Sequence, residues 1–115
     1  MDKKIPFPTK VINTYINSIK QEIPLEGVFL FGSFAYGNPT KHSDVDLVFI
    51  SSSFKKKSFL KRGVWLQKKR WGVATSVAMD VVGYTPEEFA HIEDESSIMA
   101  YAKKHGRWLY KSNKE

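Results

Sequence analysis

Cysteine is absent from all 115 residues, which excludes disulfides and thiolate metal sites and fits a reducing compartment. No apolar run approaches the roughly 20 residues that a membrane span needs. The opening MDKKIPFPTK also lacks the apolar core of a secretion signal. The expectation is a cytoplasmic protein without membrane contact. Internal repeats, low-complexity tracts and linkers are missing as well, so a single domain over 1–115 is expected around one modest core. Acidic residues are missing from one long stretch, 47–79, where Lys55, Lys56, Lys57, Lys61, Arg62, Lys68, Lys69 and Arg70 place eight cations. The net charge of +6 is therefore local. Such a patch reads either as a solvated helix face or as an attractor for nucleic acid, nucleotide phosphates or an acidic protein partner.

What is present describes a folded globule, with 42% apolar residues including 8 Phe, 5 Tyr and 3 Trp. Val11, Ile12, Tyr15, Ile16, Ile19 and Ile23 share one helical stripe between Pro8 and Pro24. Short apolar runs predict strands over 28–31, 44–50 and 77–84. Gly32-Ser33 opens a short helical turn over 33–36, and Gly37, Asn38 and Pro39 turn the chain. A helix is expected over 59–71, although Gly63 stands in its interior. Thr85, Pro86 and Glu88 form a marked helix start. A further helix over 95–104 is expected to end on Gly106 as its C-terminal cap, and 107–111 reads as an edge strand. Trp65, Trp71 and Trp108 read as core aromatics, and His42, His91 and His105 receive no role. The class is α/β or α+β around a small sheet.

Within that frame one stretch carries chemistry: FGSFAYGNPTKHSDVDLVF. On a strand, residues i and i+2 share a face, so Asp44 and Asp46 project together while Val45, Leu47 and Phe49 face the other way. Two carboxylates that close repel unless a cation lies between them. Oxygen donors without Cys or His suit a hard ion, Mg2+ or Mn2+. Asp80, inside the valine-rich VAMDVVGY, supplies a third carboxylate if its strand neighbours theirs, and three can hold two ions. Gly32 and Ser33 offer backbone N–H groups and a hydroxyl to an anion. Each piece alone has a structural reading: a turn, a strand end, a buried ion pair. Together they point to nucleotidyl or phosphoryl transfer.

An apolar strand, Gly-Ser, ten intervening residues, Asp-x-Asp and a third Asp on a later strand resemble the minimal nucleotidyltransferase branch of the DNA polymerase beta-like superfamily. The closing IMAYAKKHGRWLY is similar to the helix-then-strand ending of such proteins. The resemblance implies a small mixed sheet with helices on one face and a metal site on the other. It implies that Asp44 and Asp46 hold two Mg2+ ions, that Asp80 holds the ion activating the acceptor hydroxyl, and that Gly32 and Ser33 contact a nucleoside triphosphate, ATP above others. Ser43 is counted with Gly32 and Ser33 among the nucleotide-binding residues and would help shape the turn before the metal-binding strand. Many relatives carry arginine where this chain has Tyr36, which puts the phosphate contacts in question unless Lys41 or the 55–62 cations substitute. Larger members add a helical domain that holds the acceptor; here a second copy or a helical partner protein must supply it. In this family such chains are often the antitoxin of a module whose RNase toxin is inactivated by adenylylation. Two other readings stay open: a non-catalytic subunit that binds nucleotide or partner, and a nucleic-acid-binding module using the 55–70 patch, which leaves Asp44, Asp46 and Asp80 unexplained.

Overall fold

A computed structural model describes residues 5–112; the outermost residues of the expected 1–115 domain lie outside the described ones. In chain order the elements are α1 (Thr9–Lys20), β1 (Gly27–Phe31), α2 (Ser33–Tyr36), β2 (Val45–Ile50), a 3-10 turn (Ser52–Lys56), α3 (Phe59–Lys69), β3 (Met79–Tyr84), α4 (Pro86–His91), a second 3-10 turn (Ile92–Asp94), α5 (Ser97–His105) and β4 (Arg107–Lys111). They build one mixed sheet of order β3-β2-β1-β4, in which β1 pairs antiparallel with β2 and β4 while β2 and β3 run parallel. The parallel pair needs a crossover, and α3 supplies it.

Alternation along the strands divides the sheet into two faces. Val28, Leu30, Val45, Leu47, Phe49, Met79 and Val81 pack against Ile12, Tyr15, Ile16 and Ile19 of α1 and Leu66 of α3. The stripe spacing of α1 is what makes it a helix in water, since burying each of these side chains contributes about 1.5–3 kcal/mol. Tyr15 closes the layer by donating to the Leu66 carbonyl at 2.6 Å, and burial holds its phenol protonated. The sequence placed helices on one face, and α1 and α3 are there. The structure extends this: Phe29, Val48 and Ile50 face the other way and are covered by Phe89, Ile92, Met99 and Ala102 of the 86–105 region.

The Thr85 hydroxyl accepts from Glu88 N–H and the Glu88 carboxylate accepts from Thr85 N–H, which is the capping box the sequence predicts. Ser96 caps α5 by accepting from Met99 N–H, so that helix starts two residues later than expected. Gly106 is the C-cap of α5 as expected, its N–H donating to the Ala102 carbonyl at 2.7 Å. It caps the helix from an extended conformation at φ −78 rather than from the left-handed region. Glycine is needed there because a Cβ would run into the Leu30 carbonyl and the Phe29 ring where β4 joins the sheet.

Candidate active site

The alternation that buries Val45 and Leu47 turns Asp46 to the second face, at the end that α4 and α5 leave uncovered. In the parallel β2–β3 register Asp46 stands directly opposite Asp80. Their backbones are therefore on the order of 5 Å apart and their side chains share a face. Asp44 lies two residues before Asp46, just ahead of β2, and both Asp44 and Asp80 are exposed. The register thus sets Asp46 beside Asp80, with Asp44 two residues before Asp46 along the chain.

Their proximity has an electrostatic cost. Asp46 is half-buried, and burial together with the negative charges of Asp80 and Asp44 pushes its carboxyl up to about 6. Among the described residues no cation forms a salt bridge with any of the three. Nor is any group of three or more His, Asp or Glu side chains already gathered as a metal cage. Carboxylates without a counter-ion repel, and oxygen-only donors carrying this much uncompensated charge fit a hard divalent cation.

Gly32 fixes the other wall. The register of β1 and β2 sets Phe31 opposite Asp46, so the next residue leaves the sheet beside that carboxylate. Gly32 does so at φ 76 and ψ −160, a conformation essentially reserved for glycine. A Cβ there would overlap the Asp46 carboxylate oxygen and lie 2.9 Å from Asp46 Cγ. The Gly32 carbonyl accepts from Ala35 and Tyr36 N–H at 2.9 and 3.1 Å, which starts α2, and no side chain caps that turn. Its first N–H groups are left for an outside acceptor. Gly32→Ala is expected to cost about 1–3 kcal/mol from backbone strain alone and to displace the Asp46 carboxylate. Thermal unfolding and nucleotide binding measured on one preparation check this: both should fall, and an unchanged pair would remove Gly32 from the site.

Ser43 has a local task. Its hydroxyl accepts from Thr40 N–H at 2.8 Å, closing the turn ahead of Asp44 and Asp46. Tyr36 was noted for the missing arginine, but its surroundings were not foreseen. Its ring lies 5.3 Å from Tyr101 and 6.1 Å from His105, both on α5, and those two rings are 4.2 Å apart. The i, i+4 spacing of Tyr101 and His105 was visible in the sequence; the packing of α5 beside α2 was not. Arg62 cannot replace the missing arginine, because it is buried and held elsewhere, by Glu88 and three backbone carbonyls.

The mixed sheet, the crossover and the acidic end of β2 and β3 define a nucleotidyltransferase. The chain belongs to the nucleotidyltransferase domain family, whose model matches residues 12–109. Among solved structures, a protein of Sulfolobus solfataricus provisionally assigned as a nucleotidyltransferase is 22% identical, with TM-score 0.64 over 91% of this chain and 81% of its own. A mutant of the toxin-antitoxin complex MntA-HpeT gives 19% identity and TM-score 0.58 over 88% of this chain and 73% of the other. A toxin-antitoxin structure with AMP-PNP gives 19% and 0.55 over the same shares, 88% and 73%. At these identities the likeness is one of fold. No curated protein sequence matches the chain. Among the described residues no helix is long and apolar enough to cross a membrane.

Proposed function

We propose that the chain transfers a nucleoside monophosphate, AMP from ATP, to a hydroxyl of a partner protein in the cytosol, with Mg2+ held by Asp44, Asp46 and Asp80. The single observation that carries this reading is the register that sets Asp46 against Asp80 on an uncovered sheet face, with Gly32 fitted against the Asp46 carboxylate. A cluster that is electrostatically unfavourable when empty has a reason to exist only if something positive fills it.

In this reading Asp44, Asp46 and Asp80 would hold two Mg2+ ions, or Mn2+ in their place. The bound ions supply charge neutralisation for the triphosphate and lower the pKa of the acceptor hydroxyl. Gly32 and Ser33 receive the phosphates on backbone N–H groups and a hydroxyl. Tyr36, one helical turn on, offers with Tyr101 a ring surface on which a base can stack. Asp80, exposed at the strand's start, takes the proton of the attacking hydroxyl. The new bond joins that oxygen to the α-phosphorus, the bond from the α-phosphorus to the β-bridging oxygen breaks, and pyrophosphate leaves with its electron pair. A helical partner or a second copy supplies the acceptor, a reading supported by the toxin-antitoxin complexes among the structural neighbours. Incubation with Mg2+ and ATP labelled on the α-phosphate, with the product of the adjacent gene, tests this: label should move to protein and pyrophosphate should appear in equal amount. Label released only as free AMP would refute the transfer.

Titration gives a second test. The folded-state carboxyl of Asp46 lies near 6, above its ordinary value of 3.8. Without metal the repulsion is absent below the ordinary value, grows as pH rises through the interval, and is fully present above 6. Mg2+ relieves only the ionised form. Added Mg2+ should therefore raise the melting temperature more at pH 8 than at pH 5, and an equal gain at both would contradict the arrangement.

A further inference from the structure

We infer that the outer face of α3 is a docking surface for an acidic amphipathic helix of a partner protein. Leu60 and Val64 follow one another along that face with Phe59 beside them, and Trp71 stands just past the end of the helix; they are 76, 46, 48 and 83% exposed. Trp71 thus lies outside the core that the sequence assigned to it. Phe59, Leu60, Gly63 and Val64, with Val81 of edge strand β3, line an apolar groove of about 450 Å3. That lies in the range of about 300–1,000 Å3 in which pockets hold organic groups, and contiguous exposed apolar surface of this kind marks interaction sites.

The surrounding charge selects the occupant. Of the eight cations, Lys69 pairs with Glu22 at 2.7 Å and Arg62 with Glu88 at 2.6 Å. Lys55, Lys56, Lys61 and Lys68 form no salt bridge among the described residues, and no acid lies between positions 47 and 79 to balance them. An apolar stripe flanked by the unbalanced Lys61 and Lys68 of its own helix, with Lys68 lining the groove, matches a helix with leucine-type residues on one side and Asp or Glu beside them. A strand is a poorer match: the Met79 and Gly83 carbonyls of β3 already accept from Gln67 Nε2 at 3.3 Å and Arg62 Nη1 at 3.2 Å, so that edge is not free to extend the sheet. A second copy docked face to face would oppose the same lysines. Nucleic acid would satisfy the charge but leave Leu60 and Val64 uncovered. Because α3 packs on the sheet face opposite Asp46 and Asp80, a partner held there leaves the carboxylates open. The inference stands on this face alone, whether or not the chain transfers a nucleotide.

The test is titration of the isotope-labelled full chain with a synthetic helical peptide carrying Leu at i, i+4 and i+7 and Glu on either side. Amide shifts should concentrate on α3 and Val81. Leu60→Asp should weaken binding by about tenfold or more. Lys61→Glu with Lys68→Glu should do the same, and a Lys-flanked version of the peptide should then bind the reversed chain in preference to the wild type. Leu60 is so exposed that its variant keeps the fold. Three results overturn the proposal: no shifts on α3; a concentration-dependent dimer abolished by Leu60→Asp, which makes a second copy the occupant; or tighter binding of a single-stranded oligonucleotide that survives Leu60→Asp, which makes it nucleic acid.

Discussion

Asp46→Asn is expected to lower nucleotidyl transfer by about a thousandfold or more, as expected when charge stabilisation at a transferring phosphoryl group is removed, and at the same time to stabilise the metal-free protein. The two effects have one cause. Asparagine keeps the shape of the side chain beside Gly32 but removes the charge that Asp80 and Asp44 oppose. At pH 8 the wild-type carboxylate is ionised and carries the full repulsion, so the variant should melt higher. Near pH 4 the native wild-type side chain is largely protonated, and the gap should close. Activity and melting curves at both pH values check the pair of effects together. A variant that loses activity by unfolding would show the opposite thermal trend, and retained transfer would take Asp46 out of the reaction.

Arg62→Ala is expected to be the most destabilising single exchange in the chain. Arg62 is only 5% exposed, and its Nε donates to the Phe54 and Lys57 carbonyls at 2.9 Å each while Nη1 reaches Gly83 O at 3.2 Å. The same guanidinium grips Glu88 through both terminal nitrogens, and that hydrogen bond first of all holds the Glu88 carboxyl below its ordinary range. One side chain thus ties the 3-10 turn, α3, the end of β3 and the cap of α4. Its removal takes the side-chain donor from the Lys57 and Gly83 carbonyls, while Phe54 O keeps the Lys57 N–H, for an expected loss of about 3–5 kcal/mol from a total on the order of 5–15 kcal/mol. The melting temperature should fall by at least about 10 °C. Arg62→Lys should recover little of it, because one ammonium cannot span the fork. A fall within about 2 °C for the alanine variant would show that the network is dispensable.

These two residues also mark what the sequence disclosed and what it hid. Asp46 was legible because strand alternation is a local rule: an acid two residues from another, amid Val and Leu, must face away from the core. At Gly32 the sequence reading reserved the room of a missing Cβ for an anion, and the Asp46 carboxylate fills it; the Thr85-Glu88 box and the last strand over 107–111 followed from local signals. Asp80 needed one tertiary fact, that β3 lies beside β2. Arg62 was counted with its neighbours as part of a basic patch, since nothing local separates a buried arginine from solvated lysines; only the crossover of α3 over β3 brings four partners around it. Gly106 was legible as the cap of α5, but the reason a side chain is excluded there, the Leu30 carbonyl and Phe29 ring, depends on the strand it abuts. The aromatic contact of Tyr36 with Tyr101 and His105, and the exposure of Trp71, are likewise decided by which elements pack together.

The most direct measurement is paramagnetic broadening of the chain's amide signals by substoichiometric Mn2+ in the presence of a non-hydrolysable ATP analogue. The signals of Asp44, Asp46 and Asp80 should vanish first, with Gly32 and Ser33 close behind, and Asp80→Asn should weaken the effect at Asp46. Broadening centred instead on the acidic stretch of Glu87, Glu93 and Glu95, with Asp46 and Asp80 left sharp, would contradict the shared-ion site on which the functional reading rests.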